Sequence, residues 1–213
     1  MSKLLIYIGA NKGYGLTGIL YREKFDRVIA FEPDTEMYKL LEENISSGRL
    51  SQIRNQGVDF QTVNAACFIE NEMKELYIFD NRVSTSLGDA HYESDKHAVV
   101  DKIQVRTVNL YEFLQLNEIN YIDCLLTDCQ GSDLEIIKTI KPMIDEKKVG
   151  KILCETHRDD FNPYEGLSNS FSDFKNILSD NYEINYFSYD GTIKEASNVP
   201  IEKEWDTCWI KKQ

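Results

Sequence analysis

The chain has 213 residues, of which 42% are hydrophobic and 28% are charged, as is typical of a soluble globular protein with one substantial core. Its net charge of −12 argues against nucleic acid and anionic membrane surfaces as partners, because both require basic patches. No linker, repeat, secretory signal or membrane-length apolar run interrupts the sequence. We therefore expect a single domain over residues 1–213 in a cytoplasmic protein.

Two apolar runs near the N-terminus define the first part of the predicted fold. The run from Leu4 ends at Gly9 in a glycine-containing turn, a helix is predicted from Gly13 to Glu23, and the run Arg27–Phe31 ends on the acidic residue Glu32. Strand, glycine turn, helix, strand and acid are typical of a Rossmann-type nucleotide-binding unit. A carboxylate after the second strand can accept hydrogen bonds from two ribose hydroxyls, so this region predicts a ligand that contains a ribose.

The glycine turn can be aligned with nucleotide-binding patterns in two ways. Gly13, Gly15 and Gly18 match the dinucleotide pattern G-x-G-x-x-G, but this match begins several residues after the strand. If the turn begins at Gly9 instead, Asn11 occupies the place of the second glycine, where its side chain would crowd a pyrophosphate. The second alignment favours a smaller ligand, whereas the first leaves a nicotinamide-dependent oxidoreductase as an alternative.

The middle of the chain alternates between predicted scaffold and one long polar segment. Asp34–Ser47 has the apolar spacing of an amphipathic helix. Three β-rich runs follow, at Phe60–Val63, Glu75–Phe79 and Ile103–Val108. Between the last two, Asn81–Lys102 is polar and contains His91 and His97. We expect it to be a mobile loop that forms part of a lid, because long loops in compact domains are often functional.

Two later strands end on residues that can carry chemistry. After a short helix from Asn109, the strand Tyr121–Thr127 ends on Asp128, and the strand Lys151–Glu155 is followed by Thr156 and His157. The carboxyl ends of neighbouring parallel strands form the ligand-binding edge of an open α/β sheet. We therefore expect Asp128 and His157 to lie at the same edge.

The remaining elements complete the predicted sheet and its covering helices. Ser132 and Glu135 have the spacing of a capping box, which would open a helix that runs to Lys141. A further helix is predicted from Ser170 to Leu178. Two β-rich runs at the C-terminus, Tyr182–Tyr189 and Trp205–Lys211, predict an antiparallel pair.

Four blocks of this sequence resemble the FkbM family of S-adenosylmethionine-dependent methyltransferases. They are Ile8–Tyr14, Ala30–Pro33, Asn64–Ala66 and Leu126–Gly131, the last followed by Leu134 and Glu135. The resemblance implies an α/β fold of the Rossmann-like class I methyltransferase type. That fold is a three-layer sandwich around a mostly parallel sheet with a C-terminal antiparallel strand pair. It also implies S-adenosyl-L-methionine as the cofactor.

The same resemblance assigns roles to individual residues. The family's glycine turn holds the methionine part of the cofactor, its acid holds the ribose, and its later blocks line the adenine and the methyl-transfer site. In this chain these cofactor-binding roles fall on Gly9, Asn11, Gly13, Glu32, Asn64, Ala65 and Asp128. Tyr7 stands where the family usually has aspartate, and Cys129 and Gln130 stand in place of a hydrophobic residue and a glutamate. A non-catalytic S-adenosylmethionine-binding module is therefore a further alternative.

The resemblance favours an oxygen acceptor, so the predicted reaction is transfer of a methyl group to an oxygen of a sugar or another small hydroxylated molecule. His157 is the candidate proton acceptor because an imidazole titrates near neutral pH, and Asp128 is the candidate for holding the acceptor or the cofactor's amino group. Glu155 and His157 have no third clustered ligand, so we expect no bound metal. The five cysteines form no C-x-x-C pair and are expected to be free thiols. Oligomeric state stays open.

Overall fold

A computed structural model describes residues 2–82, 84–88, 98–189, 192–195 and 204–213. His91, His97 and much of the predicted lid lie outside the described residues. The end of that predicted loop is wrong, because a strand begins at Val99 rather than at Ile103. Within the described ranges, no helix combines the length and the apolar character needed to cross a membrane.

Strands and helices alternate along most of the described chain. The strands are β1 (Leu4–Ile8), β2 (Arg27–Phe31), β3 (Asp59–Val63), β4 (Ala66–Phe68), β5 (Met73–Phe79), β6 (Val99–Asn109), β7 (Ile122–Thr127), β8 (Val149–His157), β9 (Tyr182–Tyr189), β10 (Thr192–Glu195) and β11 (Glu204–Lys211). The helices are α1 (Tyr14–Arg22), α2 (Thr35–Ser46), α3 (Arg49–Arg54), α4 (Leu110–Leu116), α5 (Asp133–Thr139), α6 (Lys141–Asp145) and α7 (Phe171–Leu178).

The main sheet has a parallel centre and an antiparallel end. Its order among the described strands is β10-β9-β11-β8-β7-β1-β2-β3. β3, β2, β1, β7 and β8 run parallel, with Ile6 of β1 opposite Ile29 of β2 on one side and Leu125 of β7 on the other. β11, β9 and β10 are antiparallel to their neighbours. The Rossmann-like class I methyltransferase fold is confirmed, and β10 adds a strand to the predicted C-terminal pair.

The three layers follow from the alternation of side chains along β1. Successive residues of a strand point to opposite faces of the sheet. Ile6 and Ile8 belong to a core that includes buried residues of α4, α5, α6 and α7, whereas Leu5 and Tyr7 belong to a second core with α1, α2 and α3. The central strand is thus covered on both faces, as a parallel sheet requires.

Helix starts show which capping signals function in this chain. The side chains of Asp34, Asn109 and Ser170 accept backbone N–H groups at the starts of α2, α4 and α7. The predicted capping box at Ser132 is wrong: Ser132 has helical backbone angles and caps no backbone N–H, and Glu135 pairs with a lysine of its own helix. The N–H of Leu134, in the first turn of α5, is instead accepted by Asn169 Oδ1 at 3.1 Å, from the segment before α7.

A small second sheet, not fully predicted, lies beside the main one. Its order is β4-β6-β5, and the three-residue strand β4 pairs in parallel with β6 through Ala66 and Thr107. The chain after β5 returns to pair Ser86 with Tyr77. This pairing holds the segment with Thr85 and Leu87 against the carboxyl edge of the main sheet, where both residues line a cavity.

Helix α4 offers a matched test of the core. Leu114 is fully buried in the core of α4 to α7, whereas Leu116 on the same helix is 84% exposed. We expect Leu114→Ala to lower the free energy of unfolding by about 2–5 kcal/mol, because it removes packed methyl groups and leaves a cavity. Leu116→Ala should change it by less than about 0.5 kcal/mol. Urea unfolding of both variants would test this, and equal losses would contradict the assigned core.

Candidate active site

The turn after β1 requires glycine at Gly9. Its φ of 81° lies in the left-handed region, and a Cβ at this position would lie 2.0 Å from the backbone oxygen of Asp128. The N–H groups of Gly9 and Ala10 both bond to the carbonyl of Phe31, at 3.1 and 2.9 Å. The turn is therefore held between the ends of β2 and β7 with no room for a side chain.

Gly13 is required because a side chain at this position would clash with α2 and α3. Its position also decides between the two alignments of the glycine turn. Gly13 precedes the first residue of α1 with a φ of 83°, and a Cβ there would lie 2.8 Å from Leu41 Cδ1 and 2.9 Å from Leu50 Cδ1. Gly15 and Gly18 lie inside α1. A G-x-G-x-x-G match within a helix cannot form the turn that approaches a pyrophosphate, so the alignment that begins at Gly9 is the one the fold uses.

Glu32 is the polar centre of the site. It is 3% exposed, and its two carboxylate oxygens accept the backbone N–H groups of Asn11 at 2.7 Å and Asp34 at 2.8 Å. The side chain of Asn64 donates to the backbone carbonyl of Glu32 at 2.8 Å. Burial raises the pKa of Glu32 to about 7, although the two backbone hydrogen bonds act in the opposite direction. An ionised carboxylate has about four acceptor positions, so roughly two remain for a ligand.

Arg82, in the segment after β5, forms a strap across the glycine turn that was not predicted from the sequence. Asn11, with a φ of 47°, donates through Nδ2 to the backbone oxygen of Arg82 at 2.9 Å. The Arg82 guanidinium pairs with Asp34 Oδ2 at 3.2 Å and with Glu36 Oε2 at 2.5 Å. These contacts join the segment after β5 to the turns after β1 and β2. Arg82 lies in a polar segment without periodicity, so no sequence signal identified it.

Asp128 lies on the other side of the glycine turn. Its backbone N–H bonds to the carbonyl of Ile8 at 3.0 Å, and its Oδ1 accepts Nε2 of Gln130 at 3.1 Å. Gln130 Oε1 in turn accepts the hydroxyl of Tyr164 at 2.7 Å. Desolvation by the surrounding protein raises the pKa of Asp128 although the residue is exposed, and the hydrogen bond from Gln130 opposes that rise. The carboxylate itself opens onto the neighbouring cavity.

A second acid near Asp128, Asp133, is buried and holds two segments of the chain together. Asp133 is fully buried and accepts Asn169 Nδ2 at 2.8 Å and the backbone N–H of Cys129 at 3.3 Å. Burial raises the pKa of Asp133 to about 6, and the nearby charge of Asp128 adds to the rise. Asp133 therefore ties the turn after β7 to the segment before α7.

A cavity of about 240 Å³ joins these groups at the carboxyl edge of the sheet. Its walls include Gly9, Asn11, Glu32 and Asp128 of the predicted site, together with Lys12, Tyr14, Ala66, Cys67, Leu76, Thr85, Leu87 and Gln130. Gly13, Asn64 and Ala65 lie outside this wall. Asn64 contacts the site through the Glu32 backbone, and Ala65 is fully buried next to it.

The structure does not bring His157 to the cavity with Asp128. Its side chain is 1% exposed, and neither ring nitrogen has a hydrogen-bond partner. Its Nε2 lies 3.8 Å from Glu155 Oε1, and its ring packs against Phe161 and Tyr164. Burial lowers the pKa of His157 to about 4, so the imidazole is neutral at pH 7. In the described chain, no three His, Cys, Asp or Glu side chains cluster as metal ligands.

A second cavity of about 360 Å³ adjoins the first. The two share Tyr7, Gly15 and Asp128 in their walls. Tyr7 is 5% exposed, and a Cβ on Gly15 would lie 2.5 Å from its hydroxyl, so α1 can approach the tyrosine only because residue 15 is glycine. The Tyr7 ring thus forms a partition between the two cavities.

A family model described as the methyltransferase FkbM domain matches residues 8–185 of this chain. The chain belongs to the FkbM methyltransferase family. The match includes the glycine turn, Glu32, Asn64, Asp128 and His157, which are the residues discussed above. No curated protein matches the sequence.

Solved structures are similar to this FkbM protein at low sequence identity. The delta-N METTL16 MTase domain matches with a TM-score of 0.52 at 12% identity, over 100% of this chain and 74% of that one. TrmK from M. capricolum, in complex with S-adenosyl-homocysteine, has a TM-score of 0.49 at 13% identity over 100% of this chain. The FkbM chain spans 63% of that protein, and 65% of Sp1610 from Streptococcus pneumoniae.

The buried acids predict a pH dependence of stability in the ligand-free protein. Glu32 has a pKa of about 7 in the fold against an ordinary 4.5, so the folded state binds its proton more tightly than the unfolded chain. Stability should therefore fall as pH rises from 4.5 through 7. We expect a loss of about 2 kcal/mol between about pH 5.5 and about pH 8, with Asp133 adding in the same direction.

Urea unfolding at the two pH values would measure this slope. Glu32→Gln provides the control, since it cannot titrate. That variant should be less stable throughout, because its amide nitrogen would face a backbone N–H, but its slope should be flatter than that of the wild type. A wild type that is equally stable or more stable at the higher pH would contradict the assigned burial of Glu32.

Proposed function

We propose that this protein is an S-adenosylmethionine-dependent methyltransferase whose cofactor binds in the cavity between Glu32 and Asp128. The observation that carries the proposal is the Glu32 carboxylate, which is fixed by two backbone N–H groups and lines the cavity with acceptor positions to spare. Two adjacent ribose hydroxyls suit such a group. Membership of the FkbM family supports the same cofactor. When bound, it would supply an electrophilic methyl group on a sulfonium.

The proposed cofactor site is formed by the turn after β1 and by the residues around Glu32. Gly9 permits close approach of a ligand to the backbone, because the turn has no side chain at that point. Asn11 supplies the N–H that orients Glu32, and Gly13 sets the start of α1. Asn64 donates to the backbone carbonyl of Glu32, and Ala65 is fully buried next to Asn64. These five residues shape the site, while Glu32 and Asp128 provide its charge.

We place the acceptor in the second cavity. Methyl transfer needs donor and acceptor atoms to be held in line at about 3–3.5 Å, so the acceptor must reach the wall that both cavities share. Asp128 belongs to that wall. Aliphatic side chains (Ile19, Leu126 and Leu153) and polar groups (Tyr186, Asp206, Lys151 and Glu23) both line the second cavity. This mixture suits a small hydroxylated ring, and a sugar oxygen is the acceptor we propose.

The proton of the acceptor hydroxyl needs a destination. Asp128 is the acid in the wall that both cavities share, and its carboxylate can receive this proton. His157 as the base stays a prediction without support from the geometry, since its ring lies outside both cavity walls. Methyl transfer at a sulfonium carbon depends mainly on positioning, so a strong base is not required.

Cofactor affinity tests the proposal without knowledge of the acceptor. Glu32→Gln should weaken binding of S-adenosyl-homocysteine by about 1–3 kcal/mol, the range for hydrogen bonds to a charged group. Glu43→Gln, an exposed acid on α2, is the matched control and should bind as the wild type does. Isothermal titration calorimetry of the folded variants at neutral pH would measure both. Unchanged affinity in Glu32→Gln would remove this carboxylate from the site.

The same titrations separate the two other functions. Binding of NAD in place of S-adenosylmethionine would contradict the methyltransferase proposal and support an oxidoreductase. Binding of S-adenosylmethionine without methylation of any member of a panel of sugars and small alcohols would favour a non-catalytic module. Methylated product, detected by mass spectrometry with a tritiated methyl donor as a second readout, would support the enzyme.

A further inference from the structure

A chain of side-chain hydrogen bonds leads from Tyr164 through Gln130 to Asp128. The Tyr164 hydroxyl donates to Gln130 Oε1 at 2.7 Å, and Gln130 Nε2 donates to Asp128 Oδ1 at 3.1 Å. We propose that Gln130, anchored by Tyr164, is a positioning residue that holds the Asp128 carboxylate toward the amino group of the bound cofactor. This inference rests on the proposed function, because it requires S-adenosylmethionine in the first cavity.

The backbone around Gln130 is held as firmly as its side chain. Its φ of 49° lies in the left-handed region, and its carbonyl accepts the Ser86 hydroxyl at 2.7 Å. The next residue, Gly131, has a φ of 99°, and a Cβ there would lie 2.5 Å from the Tyr164 ring. A non-glycine residue in a left-handed conformation is uncommon and is kept when surrounding contacts require it. The orientation of Gln130 is therefore fixed by three hydrogen bonds, from Ser86 to its backbone oxygen, from Tyr164 to its side-chain oxygen, and from its side-chain nitrogen to Asp128.

Chemistry fixes which end of the amide faces the acid. An ionised carboxylate only accepts hydrogen bonds, so Asp128 must face the NH₂ group. The carbonyl oxygen then faces Tyr164, whose hydroxyl can donate to it. The reversed amide would place two acceptor oxygens against each other at Asp128. The hydrogen bonds from Tyr164 to Gln130 and from Gln130 to Asp128 consequently both donate toward Asp128, and this arrangement stabilises the charged form of Asp128.

A glutamate at position 130 could not perform this task while ionised. A carboxylate at position 130 has no proton to donate and would add a second negative charge next to Asp128. The neighbourhood already contains several acids. The titratable and charged groups around the two cavities are Tyr7 on β1, Lys12 and Glu32 after β1 and β2, Cys67 on β4, Cys129 and Asp133 after β7, Tyr14, Arg22 and Glu23 at α1, Cys124 on β7, Lys151 and Cys154 on β8, Tyr186 on β9, and Asp206 on β11. A neutral donor at Gln130 thus compensates Asp128 without adding charge.

The test measures the affinity of S-adenosyl-homocysteine as a function of pH by calorimetry. Gln130→Met removes the donor but keeps the volume, and Tyr164→Phe removes only the anchoring hydroxyl. In the wild type, affinity should fall at acidic pH as Asp128 becomes protonated. We expect Gln130→Met to move this fall upward by about one pH unit, so that binding in the acidic range is about tenfold weaker than in the wild type. Tyr164→Phe should give a smaller shift. Because Glu32 is present in every variant and also titrates, the effect of each substitution is the difference between the pH profile of the variant and that of the wild type.

Two controls distinguish positioning from a general structural effect. Adenosine lacks the amino acid part of the cofactor, so its affinity should be the same in the wild type and in Gln130→Met. In an Asp128→Asn background, Gln130→Met should cause no further shift, because the two residues act as one unit. Tyr164→Phe keeps the test available even if Gln130→Met fails to fold.

The outcomes separate this inference from the proposed function. Equal loss of affinity at all pH values, or equal weakening of adenosine and S-adenosyl-homocysteine, would overturn the positioning role while leaving the cofactor assignment intact. A further shift in the Asp128→Asn background would also overturn it. If the wild type binds no S-adenosyl-homocysteine, the proposed function fails, and the inference that rests on it fails too.

Discussion

The site depends on one carboxylate held by two peptide groups. Glu32 accepts N–H groups from the turn after β1 and from the residue that caps α2, so it fixes two loops relative to each other. An ionised acid in this buried place loses hydration, which explains its raised pKa. The fold tolerates that cost because the glycine turn, α2 and Asn64 all meet at this group. A side chain without two acceptor oxygens could not replace it.

The parallel sheet determines where the other reactive groups lie. β1 is flanked by β2 and β7, so Glu32 and Asp128 necessarily follow strands on either side of the glycine turn. The turn is so close to Asp128 that Gly9 cannot carry a side chain. Adjacent strand ends of the main sheet form one side of this cavity, and residues of the small sheet and of the segment after β5 form the other. Its geometry is therefore coupled to the stability of the central strands.

Sequence reasoning recovered the parts of this protein that local patterns determine. The strand Arg27–Phe31 was predicted from its apolar run, and Glu32 was singled out as the acid at its end. Asn11 and Asn64 were assigned only through the resemblance to the FkbM family, and their contacts to Glu32 were not predicted. The strap formed by Arg82 and the burial of His157 were not predicted either. Both depend on how distant segments pack, Arg82 on a loop between two strands of the small sheet and His157 on aromatic residues beyond β8. A histidine at a strand end gives no sign of which way its ring turns.

The partition formed by Tyr7 has a consequence for the breadth of chemistry this scaffold can accommodate. The Tyr7 side chain lines both the cavity at the carboxyl edge of the sheet and the cavity that extends along β7 and β8 as far as Cys124 and Lys151. A short side chain at that place, such as an aspartate, would merge the two compartments and admit bulkier molecules beside the same glycine turn. The separation of the two cavities is thus encoded in the central strand, away from any surface loop. A change in the shape of this paired cavity would then require one substitution in the core rather than new surface loops.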